Sequence, residues 1–437
     1  MIALLACGGG VDAPDDHGHD AAAWGSPAEA EDLDPADDVV HVELTAAPRS
    51  FEVGGLAIDG YAYNDQNPGP TLRAKAGDTL IVDFTNALDA DTTVHWHGVH
   101  APNDMDGVGV LVPPGGTFTY TLPLETAGTF WYHPHVDVDR QVDLGLYGFL
   151  VVEDPGEPVM DELLVAFDTW SELDEEEGDA AKDEHDHGMG DHGTPVDPDT
   201  LTWTANGVVL PSASFDGPVR ARLLNASNTS YLDLSGVGLR IAGEQGLLDT
   251  SDTSGHVLLG PGDRAELEWT RTVSLEASPY SVAGGATLGE PVKVLRVEAA
   301  GSPADWPFAG EPPADDPGRT DLVYVFSGGD HGEAWLINGE AWPDVTPSVL
   351  ALGTDAVIEV RNLSATEHPF HVHGHAFEVL SVDGVPVASR QVEDTVNVGI
   401  RQRVRLRMLA DNPGEWMVHC HILGHEEGGM MTVLRVE

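Results

Sequence analysis

At 437 residues the chain is too long for one ordinary domain and suits roughly two to four, with 41% hydrophobic residues to build their cores. A formal net charge of −54, from 74 acidic against 20 basic side chains, repels nucleic-acid phosphates and anionic lipid heads and draws in cations. Two cysteines leave little scope for a disulfide framework, and 50 Gly with 30 Pro point to many turns between short strands.

Residues 1–38 are small and acidic, contain proline together with His17 and His19, and read as a flexible tether. Within them Leu4-Leu5-Ala6-Cys7-Gly8 resembles the lipobox of bacterial lipoproteins, which implies a lipid on Cys7 and an exported chain (periplasmic, cell-surface or secreted). No other segment approaches the ~20 apolar residues of a membrane span. From Val39 the texture changes to short alternating runs at Thr79 to Phe84, Thr117 to Leu122, Ala356 to Val360 and Val404 to Met408. Turn signals such as Asn67-Pro68-Gly69-Pro70, Pro113-Pro114-Gly115-Gly116 and Asn412-Pro413-Gly414 separate them, the pattern of antiparallel β-sandwiches. Linkers are expected where Pro and acid cluster, at Asp154 to Glu157 and Gly301 to Arg319. A polar insert over 172–199, carrying His185, His187, Met189 and His192, reads as an exposed loop or, through its imidazoles and thioether, as a holding place for a metal ion in transit.

An internal repeat organises the rest. Gly77 to Gly98 reads GDTLIVDFTNALDADTTVHWHG and Gly353 to Gly374 reads GTDAVIEVRNLSATEHPFHVHG; in both, Asn86 and Asn362 precede the first His of an HxHG by nine residues. Gly128 precedes His133-Pro134-His135 by five, and Gly414 precedes His419-Cys420-His421 by five. The first and last thirds are therefore versions of one unit. In the middle third Val219 to Asn225 matches the strand that ends at Asn86, but nine residues beyond Asn225 stands Leu234 and no histidine pair.

The chemistry lies in those pairs. Strand alternation points His419 and His421 to one face and Cys420 to the other. Cys420, His425 and Met430 form a soft sulfur and nitrogen set with the spacing of a blue-copper site, which needs a second imidazole from elsewhere. Four HxH pairs, two in each repeated unit, supply eight imidazoles (His95, His97, His133, His135, His371, His373, His419 and His421). That is too many for one ion and suits a trinuclear copper cluster, since copper heads the divalent affinity series for such ligands.

Through HWHG, WYHPH, HPFHVHGH and HCHILGHEEGGMM the chain resembles the three-domain multicopper oxidases, a family including laccases, cuprous oxidases and bilirubin oxidases, over roughly residues 39–437. The resemblance implies an all-β fold of three cupredoxin-like Greek-key β-sandwich domains at 39–156, 157–305 and 306–437. It implies four coppers per chain: one type 1 on His368, Cys420, His425 and Met430, one type 2 on His95 and His371, and a type 3 pair on His97, His133, His135, His373, His419 and His421. Asp106 matches the family's proton-delivering acid near the cluster, and Glu426 matches a second acid. His375 matches a supporting residue that hydrogen-bonds, while His100 is out of phase and expected at the surface, and Met431 is expected to pack.

The implied activity is one-electron oxidation of a small donor near His368 or His425, the expected exposed edge, with electrons passing through Cys420 to the cluster and O2 reduced to water. Phenols and aromatic amines are the laccase-type donors; an exported oxidase of Cu(I) for copper tolerance is the alternative, and a non-catalytic copper-binding or structural protein on the same scaffold ranks below both. Both halves of the cluster lie in one chain, so a monomer suffices. The acidic surface serves either solubility, as in salty surroundings, or the steering of cations.

Overall fold

The alternation in Thr79–Asn86 becomes a strand in which every second side chain is buried, as one face packed on a core requires. In the computed structural model, which describes residues 24–53, 56–170, 202–329 and 333–437, strands of this kind build three successive pairs of sheets. Cys7, His17, His19 and the insert residues His185, His187, Met189 and His192 lie outside the described residues.

Each pair closes on its own apolar core. Leu80, Val82, Phe84 and Tyr120 sit in the first; Leu163, Leu223, Leu234 and Trp269 in the second; Ile358, Phe370, Leu406 and Trp416 in the third. The strands are not purely antiparallel, as the turn pattern had suggested. Val39–Val53 runs parallel to Thr79–Asn86, Asp161–Trp170 to Val219–Asn225, and Leu322–Gly328 to Thr354–Asn362. The physical reason is the crossover: between the two strands of the first pair, the chain passes through Gly69–Lys75 in the opposite sheet and then returns.

The sequence repeat has a structural counterpart in three asparagines at the end of the second strand of each pair. Asn86 Nδ2 donates to the carbonyls of Ala90 and Val112, Asn225 Nδ2 to those of Ser230 and Leu259, and Asn362 Nδ2 to those of Thr366 and Val398. Each fixes the loop that follows, and in the outer two sandwiches that loop leads to an HxHG. In the middle one Leu234 points into the core instead.

Two segments expected to be loose are held. Trp24 packs against the middle core and its Nε1–H donates to the Ala205 carbonyl at 3.0 Å, while Ala30 N–H donates to Thr71 O at 2.9 Å, so residues 24–38 are not a free tether. Trp306 and Phe308, in the expected linker, pack on Ile241 and Ala242, and Trp306 Nε1–H donates to Glu268 at 2.9 Å. No helix among the described residues is long and apolar enough to cross a membrane.

Candidate metal centre

The first and third sandwiches place the first His of each HxH pair on neighbouring strands, with His135, His373 and His421 just past the strand ends. His95 lies opposite His133 across the pair His95–His97 and Gly128–His133, and His371 lies opposite His419 across His368–Val372 and Gly414–Cys420. Period-two geometry then aims all four pairs into the space between the sandwiches.

The two halves meet with swapped contacts. His95 stacks on His373 and His97 on His371, both at 3.8 Å between ring centroids. Likewise His135 faces His419 at 5.4 Å and His133 faces His421 at 5.6 Å. If His95 is matched with His371, His97 with His373, His133 with His419 and His135 with His421, every contact maps onto its partner, as about a pseudo-twofold axis.

In most of these rings one nitrogen is pinned and the other is left without a protein partner. The Nδ1–H of His95 donates to Asp106 O at 2.9 Å, that of His371 to Asp394 O at 2.9 Å, and that of His133 to Pro134 O at 2.8 Å; the Nε2 of all three is buried and unpaired. His97 is reversed: its Nε2–H donates to Asp394 Oδ1 at 2.9 Å and its Nδ1 is the orphan. His373 Nδ1 lies on Asp106 Oδ2 at 2.8 Å, leaving its Nε2 facing His419 Nε2 at 2.9 Å. Both nitrogens of His421 are unpaired. Buried lone pairs converging without protons to share are costly unless a cation takes them. Burial and mutual repulsion hold His97, His133, His371 and His373 well below the usual imidazole range, His135 at about 4 and His421 at about 3, so the rings are neutral and ready to ligate.

On the opposite face of Cys420 a second group forms. Sγ lies 3.4 Å from His368 Nδ1 and 3.7 Å from His425 Nδ1, and the two Nδ1 atoms are 3.1 Å apart. A trigonal metal with bonds of about 2.0 Å to nitrogen and 2.3 Å to sulfur would need donors about 3.5 Å apart, so the triangle has the right size. Ser364 Oγ accepts the His368 Nε2 proton at 2.7 Å, which leaves Nδ1 for the site. Met430 is fully buried in the same core cluster, tied to Cys420 by a Cys420 N–H to Met430 O bond of 3.1 Å. Burial pushes the Cys420 thiol up, so a thiolate there calls for a cation.

The expected exposed edge needs correction. His368 is fully buried, and His425, 8% exposed, is covered by Trp335, whose ring stacks on it at 3.9 Å. The apolar core around Cys420 continues over both imidazoles, and only His425 reaches the surface.

Neither candidate acid is a solvated loop carboxylate. Asp106 is 2% exposed; besides His373 its Oδ1 lies 3.4 Å from His95 Nδ1. Glu426 is 3% exposed, with Oε2 3.0 Å from His419 Nδ1 and Oε1 3.4 Å from His135 Nε2. Burial pushes its carboxyl up, but His419 and His135 outweigh that and bring it down to about 2. His375 is buried, its Nδ1–H donates to His373 O at 3.1 Å, and its edge meets Trp416. His100 is half-exposed beside Asp411 at 3.2 Å, and Met431 packs as a buried side chain.

Sequence reading missed Asp394. Its carboxylate holds His97, and its backbone carbonyl holds His371, the same double duty that Asp106 performs for His373 and His95. Asp394 is thus the pseudo-symmetric mate of Asp106. The repeat could have prompted a search for such a mate, but Asp106 follows its HxHG closely whereas Asp394 lies beyond a hairpin.

Two stretches, residues 50–157 and 315–437, match family models described as multicopper oxidase. The chain is 30% identical to the multicopper oxidase MmcO of Mycobacterium tuberculosis over 447 aligned residues, covering 90% of this chain and 86% of that one. The chain belongs to the multicopper oxidase family. It is also similar to laccase-1 of Cryptococcus neoformans (26% identity, 88% and 78% of the two chains). A solved multicopper oxidase from Pseudomonas thermotolerans superposes with a TM-score of 0.76 at 30% identity, covering 92% of this chain and all of that one (100%). This multicopper oxidase is accordingly a copper-dependent oxidoreductase that oxidises a reducing substrate with O2, on a cupredoxin-like all-β fold. The orphaned imidazole nitrogens and the sulfur-containing triangle fit the metal its family uses.

Proposed function

We propose that the enzyme holds four coppers: a type 1 ion on His368, Cys420, His425 and Met430, a type 2 ion on His95 and His371, and a type 3 pair on His97, His133, His135, His373, His419 and His421. The observation that carries this reading is the set of buried ring nitrogens left unpaired on both sides of the pseudo-twofold interface. Bound copper supplies one-electron acceptance from the donor and four-electron reduction of O2 to water.

The chain's own part is to hold these donors rigid and dry. Cys420 lies between two ligands of the cluster, so covalent backbone joins the two centres over three residues. Trp335 and the partly exposed edge of His425 form the face that a donor meets, which favours small aromatic donors such as phenols and aromatic amines. Asp106, with one oxygen unpaired, is placed to hold a proton at Oδ1, and Glu426 to position His419 and pass protons on its side. The lipobox-like Cys7 segment supports export, and both half-sites lying in one chain support a monomer.

A second donor class is favoured by the net charge of −54, which concentrates cations around the surface: Cu(I), as in copper tolerance. Metal analysis and a donor screen under O2 test both readings. Four coppers per chain, a blue colour and turnover of phenols are expected. Fewer than four coppers sinks the ligand assignment, and a strong preference for Cu(I) over phenols replaces the first donor class with the second.

A further inference from the structure

Among its described residues the middle sandwich has no HxH pair, yet it reaches the cluster. Arg264, fully buried at the start of strand Arg264–Trp269, donates from Nη1 to Asp394 Oδ1 at 2.8 Å and from Nη2 to Asp394 Oδ2 at 2.5 Å. Its Nε–H donates to Thr129 O of the first sandwich at 2.9 Å. One guanidinium therefore ties all three sandwiches together at a single carboxylate. Gln245, also from the middle sandwich, adds a donor to Asp394 Oδ2 at 2.6 Å, and Glu244 accepts the Asp394 and Thr395 backbone protons at 2.9 and 2.8 Å.

Asp106 has no such clamp: no arginine or lysine among the described residues pairs with it, and its Oδ1 has no hydrogen-bond partner. The pseudo-twofold axis is broken at this point, and it is broken again one atom further in. Asp106 pins His373 through Nδ1, whereas Asp394 pins His97 through Nε2. A carboxylate only accepts, so His97 must carry its proton on Nε2 and present Nδ1 to the cluster. Thr395 Oγ1 supports this arrangement, donating to Asp394 Oδ1 at 3.0 Å and accepting from His97 Nε2 at 3.0 Å.

We infer that Arg264 of the middle sandwich is a positioning residue for the cluster: by fixing both oxygens of Asp394, it selects the tautomer of His97 whose Nδ1 ligates. The sandwich without ligands thus decides which ring nitrogen one of the ligands uses. The inference rests on the ligand set proposed above, and it separates the two symmetry-related carboxylates by role. Asp394 is locked to Arg264, while Asp106 keeps an oxygen available.

The test uses the full chain. In copper-stripped wild type, nitrogen-15 spectra of the histidine rings should show His97 as the Nε2–H tautomer. Arg264→Met should shift His97 toward a mixture, and titration with Cu(II) should show cluster binding weakened about 10–100-fold, as when a hydrogen-bond partner that orients a ligating imidazole is lost. The colour arising at Cys420 should be kept. Arg264→Met/Asp394→Leu removes both buried charges together and guards against a fold that merely fails. It should recover thermal stability relative to Arg264→Met but not the His97 tautomer or cluster affinity. Recovery of tautomer and affinity together with stability in the double variant would overturn the inference, as would an unchanged His97 tautomer in Arg264→Met. His97→Ala retaining full cluster copper would instead overturn the ligand assignment, whatever the tautomer reads.

Discussion

The seal that the middle sandwich makes over the cluster can be tested at Gly262. This residue sits at φ +85°, and a Cβ built on it would lie 2.9 Å from Nδ1 of His421 and 3.0 Å from Cγ and Cε1. Ordinary contact begins near 3.4 Å, so Gly262→Ala must push the His421 ring by about 0.5 Å (3.4 − 2.9). Metal–ligand distances tolerate about 0.2 Å, so the displacement exceeds what a bound ion allows. The positive φ adds a backbone cost of roughly 1–2 kcal/mol. Gly255→Ala separates the two effects, because Gly255 has φ +75° and nothing within 4 Å of its Cβ position. Both variants should lose a similar few degrees of Tm, while only Gly262→Ala should bind cluster copper more weakly, on the order of 10-fold. Copper titration of the stripped full chain, followed by metal analysis, reads the difference. Identical copper isotherms for the two variants would falsify the claim that this turn sets the position of His421.

Cys420→Ser should abolish the blue colour and oxidation of external donors, because a serine oxygen is a poor substitute for a thiolate with Sγ 3.4 Å from His368 Nδ1; metal analysis should still find the cluster ions, and retained O2 uptake would contradict the relay. Trp335→Ala should cost about 3–5 kcal/mol of stability as a buried aromatic is removed, yet raise kcat/KM for bulky phenols by uncovering His425, on which Trp335 stacks at 3.9 Å. Acid sensitivity should depend on Glu266: burial pushes its carboxyl up, but Arg220 and Arg222 outweigh that and hold it below the ordinary range. Its charged form therefore stabilises the fold above the unfolded value of about 4.3 and is lost as pH falls through the folded value; Glu266→Gln should lower Tm at neutral pH and flatten the fall of Tm below pH ~4.3, and an unchanged slope counts against the pair.

How much of this was legible beforehand depends on whether the information is local. The alternation that sends His419 and His421 one way and Cys420 the other needs only the period of a strand, and it appears in the structure as written. The repeat of Asn86 and Asn362 with their HxHG pairs was equally readable, because an asparagine binding the carbonyl four residues on is a short-range device. His368 was recognised only by resemblance, since its partner Cys420 lies 52 positions away and no spacing links them.

What stayed hidden is chemistry assembled by packing between sandwiches. Arg264 carries no motif, and in a chain with 20 basic side chains against 74 acidic ones it reads as one more charge. Its meaning comes from burial: Arg264 and Arg222 are fully buried and Arg220 is buried, each paired with carboxylates from neighbouring strands or the adjoining sandwich. A buried guanidinium with one partner removed leaves an uncompensated charge costing about 3–5 kcal/mol, so such positions cannot drift independently of the site they border. The middle copy, whose strand after Asn225 leads to Leu234 and not to an HxHG, is therefore not free of the chemistry. It supplies a clamp, and the asymmetry between Asp106 and Asp394 is where that clamp departs from an otherwise twofold site.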